Sequence, residues 1–113
     1  MGVVRHKPPQ RGEIWIVELD PTVGREIQKA RPCLVVSPNS MNRGLDTCTI
    51  MPMTSGSRAT PFRVPVGFDG KQGFLLADQL RTADYHRLRK QVGVVDRTTL
   101  TAVLAVLREM FEE

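Results

Sequence analysis

Prolines and turn-forming residues cut this chain into apolar runs too short for helices, and only the final stretch carries helical spacing. Glu13-Ile14-Trp15-Ile16-Val17-Glu18-Leu19 reads as a strand with apolar groups on both faces, so the sheet is covered on each side there. Asp20-Pro21 ends it, because proline supplies no ladder donor. Residues 32–37 read as a second, buried strand, and residues 38–44 as a turn-rich link. Residues 47–51 alternate threonine with apolar groups and form a third strand. Residues 62–66 make a short strand that Pro65 confines to an edge. An Asp69-Gly70 turn signal follows, and Phe74-Leu75-Leu76-Ala77 resumes a buried strand. A short irregular or helical turn near residues 85–88 precedes a weaker strand over residues 90–95.

The last element differs in period. Asp96 can cap a helix from Arg97 to about Phe111. Leu100, Val103, Leu104, Leu107 and Phe111 form one apolar stripe, widened by Val106 and Met110, that suits packing on a sheet. The sum is a mainly β (α+β) fold: a small, SH3-like antiparallel barrel with a C-terminal helix. A chain of 113 residues supports one core, assigned to residues 13–113. Residues 1–12 read as a flexible, basic, proline-bearing arm.

A net charge of +4 suits polyanionic partners. Aromatic residues make up only 5% of the chain, so nucleic acid would be gripped through phosphates and hydrogen bonds rather than a stacking platform. Cys33 and Cys48 sit in apolar runs and read as buried free thiols, without metal-ligand spacing. The first ten residues lack the apolar stretch of a secretory signal, and no run approaches membrane-spanning length. The expectation is a cytoplasmic protein without membrane association.

Chemical character concentrates around Arg31, where the charged segment 20–30 re-enters the sheet. A guanidinium there stays protonated and can hold a phosphate with forked donors. Thr54 and Ser55 bring hydroxyls out of the third strand, and Glu26 can serve as a base if its loop folds back. His6 lies on the arm and His86 in the irregular segment, so neither is placed for catalysis. Each residue alone has a plainer reading: Arg31 and Glu26 as a surface ion pair, Thr54 as turn chemistry, and Asp78, Gln79 and Arg81 as a solvated hairpin end.

The ordered set Arg11-Gly12-Glu13-Ile14-Trp15, Asp20-Pro21-Thr22-Val23-Gly24-Arg25-Glu26 and Arg31-Pro32-Cys33-Leu34-Val35-Val36-Ser37-Pro38 resembles the MazF/PemK toxin family. The match continues through Pro52-Met53-Thr54-Ser55, Thr60-Pro61-Phe62 and Leu76-Ala77-Asp78-Gln79-Leu80-Arg81-Thr82. The resemblance implies a type II toxin–antitoxin toxin, a sequence-specific endoribonuclease that cuts single-stranded RNA to a 2′,3′-cyclic phosphate and a 5′-hydroxyl. It implies no metal or other cofactor, a symmetric homodimer, and a cognate antitoxin whose acidic, disordered segment competes for the RNA groove. Arg31 and Thr54 match the family's catalytic arginine and threonine, and Glu26 its first-loop acid. Arg25, Gln28, Lys29, Ser55, Arg58, Asp78, Gln79 and Arg81 then fall on RNA-facing positions. Some relatives use a first-loop histidine with an Asp–Arg pair; Asp78 and Arg81 match that pair, but this loop has no histidine, which favours the Arg31–Thr54 version. Two alternatives are a gyrase-poisoning toxin of the same fold and a non-catalytic RNA-binding module. Gyrase poisoning in the family depends on a C-terminal tryptophan region, whereas this chain ends Glu109-Met110-Phe111-Glu112-Glu113 and its one tryptophan is Trp15.

Overall fold

The computed structural model describes residues 7–56 and 58–113. Among them, seven strands form one antiparallel sheet: β1 (Glu13–Glu18), β2 (Ala30–Val35), β3 (Thr47–Thr54), β4 (Arg63–Phe68), β5 (Lys71–Leu76), β6 (Arg81–Asp84) and β7 (Leu88–Val94). Two α-helices, α1 (Asn39–Gly44) and α2 (Arg97–Met110), and two short 3-10 turns, Ala77–Gln79 and Tyr85–Arg87, complete the described fold. The strand order is β4-β5-β3-β2-β1-β7, with β6 also paired to β3. Strand β3 is the spine: its first half pairs with β6, its middle with β2, and its end with β5. The sheet curls strongly, bringing its ends together; a Cβ built on Gly93 of β7 would meet Phe68 of β4 at 3.4 Å.

Period-two alternation explains why both faces are covered. Leu34, Met51 and Met53 point into a core with Val64, Val66, Leu75 and Val103 of α2. The intervening Cys33, Val35, Cys48 and Ile50 point the other way, against Ala83, Tyr85 and Leu88. Fully buried Val103 anchors α2 on the first core, a burial worth about 2 kcal/mol. Asp96 caps that helix by accepting a hydrogen bond from the Thr99 N–H at 2.7 Å. The helix stops at Met110, so Phe111 lies past the stripe and is 74% exposed rather than packed.

Strand β4 is an edge, as Pro65 requires. Asp69 (φ 53°) and Gly70 (φ 74°) form a tight turn between β4 and β5, both in the left-handed region that glycine adopts without cost. The link expected over residues 38–44 contains α1 instead. Its Asn42 is buried, donating to the carbonyls of Pro9 and Ser37 and accepting from the Ser37 hydroxyl, while its own carbonyl accepts from Tyr85 Oη. The charged residues 78–82 also hide an element, since β6 begins at Arg81.

Part of the arm expected over residues 1–12 lies outside the described residues. Its second half is not loose: Pro9 is fully buried, and Arg11 Nε donates to the Val36 carbonyl at 2.8 Å. Gly12 donates to Val35 at 2.8 Å and accepts from Val95 at 2.9 Å, tying the segment across the ends of β2 and β7.

Candidate active site

The register of β2 on β3 builds the site. Cys33 stands opposite Pro52 at the end of the β2–β3 pairing, and Arg31 and Thr54, each two residues beyond that pair, line the same hollow. Arg31 is half-buried, and its Nε donates to the Gln28 carbonyl at 3.1 Å, which fixes the stem of the side chain. Among the described residues no hydrogen bond engages its terminal nitrogens, so the fork remains available. Thr54 ends β3, and its hydroxyl accepts from the Gly56 N–H at 3.3 Å while retaining its proton to donate. Arg31, Thr54 and Ser55 line one open hollow of about 190 Å³, closed on the far side by Asp69, Lys71 and Gln72 of the β4–β5 hairpin. That is smaller than the ~300–1,000 Å³ of small-molecule pockets, and suits a phosphate rather than a whole cofactor.

The hairpin is pressed onto this strand end. A Cβ on Gly73 would lie 2.3 Å from the Thr54 carbonyl oxygen, so only glycine lets β5 pass there.

A second hollow, of about 500 Å³, is lined by Arg25, Glu26, Asp78, Gln79 and Arg81. Glu26 therefore does not fold back onto Arg31. Its carboxylate accepts the Val23 N–H at 2.6 Å within a tight turn of its own loop, which holds it away from the first hollow. Nor do Asp78 and Arg81 pair with each other. The short 3-10 turn Ala77–Gln79 swings Asp78 towards β4, where Arg63 grips it through two bonds of 2.9 and 3.1 Å. Those hydrogen bonds hold the Asp78 carboxyl below its ordinary pKa, against a smaller opposing effect of burial. Arg81 instead donates to the Leu19 carbonyl at 3.2 Å, and Gln79 Oε1 accepts the Ile27 N–H at 2.7 Å.

These two side chains thus hold the loop between β1 and β2. Arg87, which sequence reasoning passed over, completes the grip by donating to the carbonyls of Glu18 (2.9 Å) and Asp20 (2.7 Å). On the loop they hold, Arg25, Gln28 and Lys29 are exposed. Ser55 and Arg58 are exposed beyond β3. His86 pairs with Asp84 at 2.7 Å on the surface and lines neither hollow. Cys33 and Cys48 are buried, and burial pushes the Cys33 thiol up to about 12, against the opposing charge of Arg81. Among the described residues no group of three or more His, Cys, Asp or Glu side chains could hold a metal ion, and no helix is long and apolar enough to cross a membrane.

The sequence of residues 10–111 matches the family model described as PemK-like, MazF-like toxin of type II toxin–antitoxin system. The chain is 39% identical over 111 residues to an endoribonuclease PemK of Escherichia coli, covering 93% of this chain and 84% of that protein. It is 36% identical over 80 residues to the endoribonuclease toxin MazF of Escherichia coli strain K12, covering 71% of each. Among solved structures, MazF from Deinococcus radiodurans superposes with a TM-score of 0.80 at 28% identity, covering 91% of this chain and 96% of that one. A mycobacterial endoribonuclease solved in complex with its cognate antitoxin gives 0.76 at 25% identity, covering 89% and 92%.

Proposed function

The chain belongs to the PemK-like, MazF-like toxin family of type II toxin–antitoxin systems, and from that premise we infer that it is an endoribonuclease whose cleavage centre is the Arg31–Thr54 hollow. The observation that carries the reading is the convergence of an unengaged guanidinium fork and two hydroxyls, from Thr54 and Ser55, on a space of phosphate size.

In the reaction the 2′-hydroxyl of RNA attacks the adjacent phosphorus. The 2′-O–P bond forms, the P–O5′ bond breaks, and the products are a 2′,3′-cyclic phosphate and a 5′-hydroxyl. A proton leaves the attacking oxygen and another reaches the departing one. Arg31 holds the non-bridging oxygens bidentately as their charge builds, and the Thr54 hydroxyl donates to the same oxygens. Among the described residues, neither His86 nor Glu26 lines this hollow. The rate leans on electrostatic stabilisation, with solvent carrying protons, and the family resemblance implies that no metal ion takes part.

Single-stranded RNA in the cytoplasm is the substrate, because its phosphates and base edges are open to the exposed loop residues Arg25, Gln28 and Lys29. The chain works as a homodimer and is restrained by a cognate antitoxin, whose acidic segment folds onto the same basic surface. The antitoxin complex of a structural neighbour supports that partner.

The test is cleavage of a long single-stranded RNA in EDTA with end-group analysis. Cyclic phosphate and 5′-hydroxyl ends are expected. Cutting that requires a divalent cation, or that leaves 5′-phosphates, contradicts the mechanism.

A further inference from the structure

The wall of the hollow facing Arg31 and Thr54 is the β4–β5 hairpin, which no reading of the sequence connected with RNA. Building on the nuclease reading, we propose that Lys71 is a phosphate-binding residue of this site, gripping the RNA backbone at the mouth of the Arg31–Thr54 hollow.

Three observations carry it. Lys71 is exposed and lines the same hollow as Arg31, Thr54 and Ser55, and among the described residues no ion pair engages its ammonium. Its position is rigid relative to the cleavage centre. Two residues on, Gly73 passes so close to the Thr54 backbone that no side chain fits, and Thr54 is paired with Phe74 of the same strand. On its other side, Lys71 follows the tight Asp69–Gly70 turn and pairs with Phe68. The third observation is charge: Arg31 and Lys71 stand against Asp69 alone in the lining, so the hollow is net cationic. A lysine so placed acts as a compact point charge on a flexible stem, suited to holding a phosphate without demanding one geometry. Such a contact is made equally before and during the reaction, so it contributes to binding rather than to turnover.

The experiment uses the shortest RNA that wild-type protein cuts, blocked by 2′-O-methylation at the cut nucleotide, and measures its affinity from low to high salt. For Lys71→Gln, the slope of log affinity against log salt is expected to fall by about 0.7, the share of one single-strand phosphate contact. Lys71→Arg should retain the wild-type slope, and so should Lys90→Gln on exposed β7, away from the hollow. With unblocked RNA, Lys71→Gln should raise KM and leave kcat near wild type. Lys71 is exposed, so these variants fold. An unchanged slope and KM in Lys71→Gln overturns this proposal and leaves the nuclease reading intact. A fall in kcat alone also overturns it. Failure of wild type to cut any RNA overturns the nuclease reading, and the proposal with it.

Discussion

At the scale of single residues, the site depends on a side chain that is missing. Gly73 lets β5 pass over the Thr54 carbonyl, and the 2.3 Å a Cβ would leave cannot be relieved by rotating a flexible group, because the obstacle is backbone. Gly73→Ala should therefore cost about 1–3 kcal/mol in urea unfolding and lower the cleavage rate as Thr54 shifts. Retention of both would mean that the hairpin is not held as described. Cys33 gives a second, independent prediction. Burial raises its thiol to about 12 in the folded chain, against about 9 when exposed. Above pH 9 the unfolded state loses a proton that the folded state keeps, so stability falls as pH rises from about 9 towards 12, by at most about 1.4 kcal/mol per pH unit. Urea midpoints at pH 8 and pH 10 should drop more for wild type than for Cys33→Ala. The placement of Arg31 and Thr54 near strand ends was legible in the sequence, and the structure lines one hollow with both. The role proposed for Lys71 had no such signal, because it rests on the tertiary placement of the β4–β5 hairpin along the same hollow. Glu26, five positions from Arg31 in sequence, is held by its own bond to Val23 and lines the second hollow, a placement with no signal in the sequence.

At the scale of elements, the β1–β2 loop is held from outside itself. Arg81 and Arg87 take the carbonyls of Glu18, Leu19 and Asp20 at one foot, and Gln79 takes the Ile27 N–H near the other. Losing the Arg87 bonds leaves two carbonyls without their charged donor. Arg87→Ala should accelerate tryptic cleavage after Arg25 and Lys29 by about tenfold or more, with little change in global unfolding. Equal protease resistance in the variant would refute this anchoring. The elements most open to sequence reading were those with a period, β1, β3 and α2, and those with a continuous apolar run, β2 and β5. Pro65 correctly assigned β4 to an edge. Strand β6 was hidden because Arg81, Thr82 and Asp84 are polar and only Ala83 of the four is buried. Helix α1 was hidden because turn-forming residues fill it; its reason to fold is the buried Asn42, whose partners Pro9 and Tyr85 are distant in sequence.

At the scale of the whole molecule, a net charge of +4 on 113 residues frames the partnerships. Light scattering of the purified chain should give twice the 12.7 kDa protomer mass, and RNA affinity should fall steeply with salt. A peptide from an acidic antitoxin segment should displace bound RNA competitively; simultaneous binding would place the antitoxin elsewhere. RNA is predicted to be cut in the Arg31–Thr54 hollow rather than in the one holding Glu26. The most direct measurement is the single-turnover cleavage rate, in EDTA, of one mapped RNA by wild type, Arg31→Ala and Glu26→Gln. Arg31→Ala should be slower by about a hundredfold to a thousandfold, the cost of removing a donor aimed at developing charge, while Glu26→Gln stays within about tenfold of wild type. Near-wild-type cutting by Arg31→Ala, or a larger loss in Glu26→Gln, would move the chemistry to the other hollow.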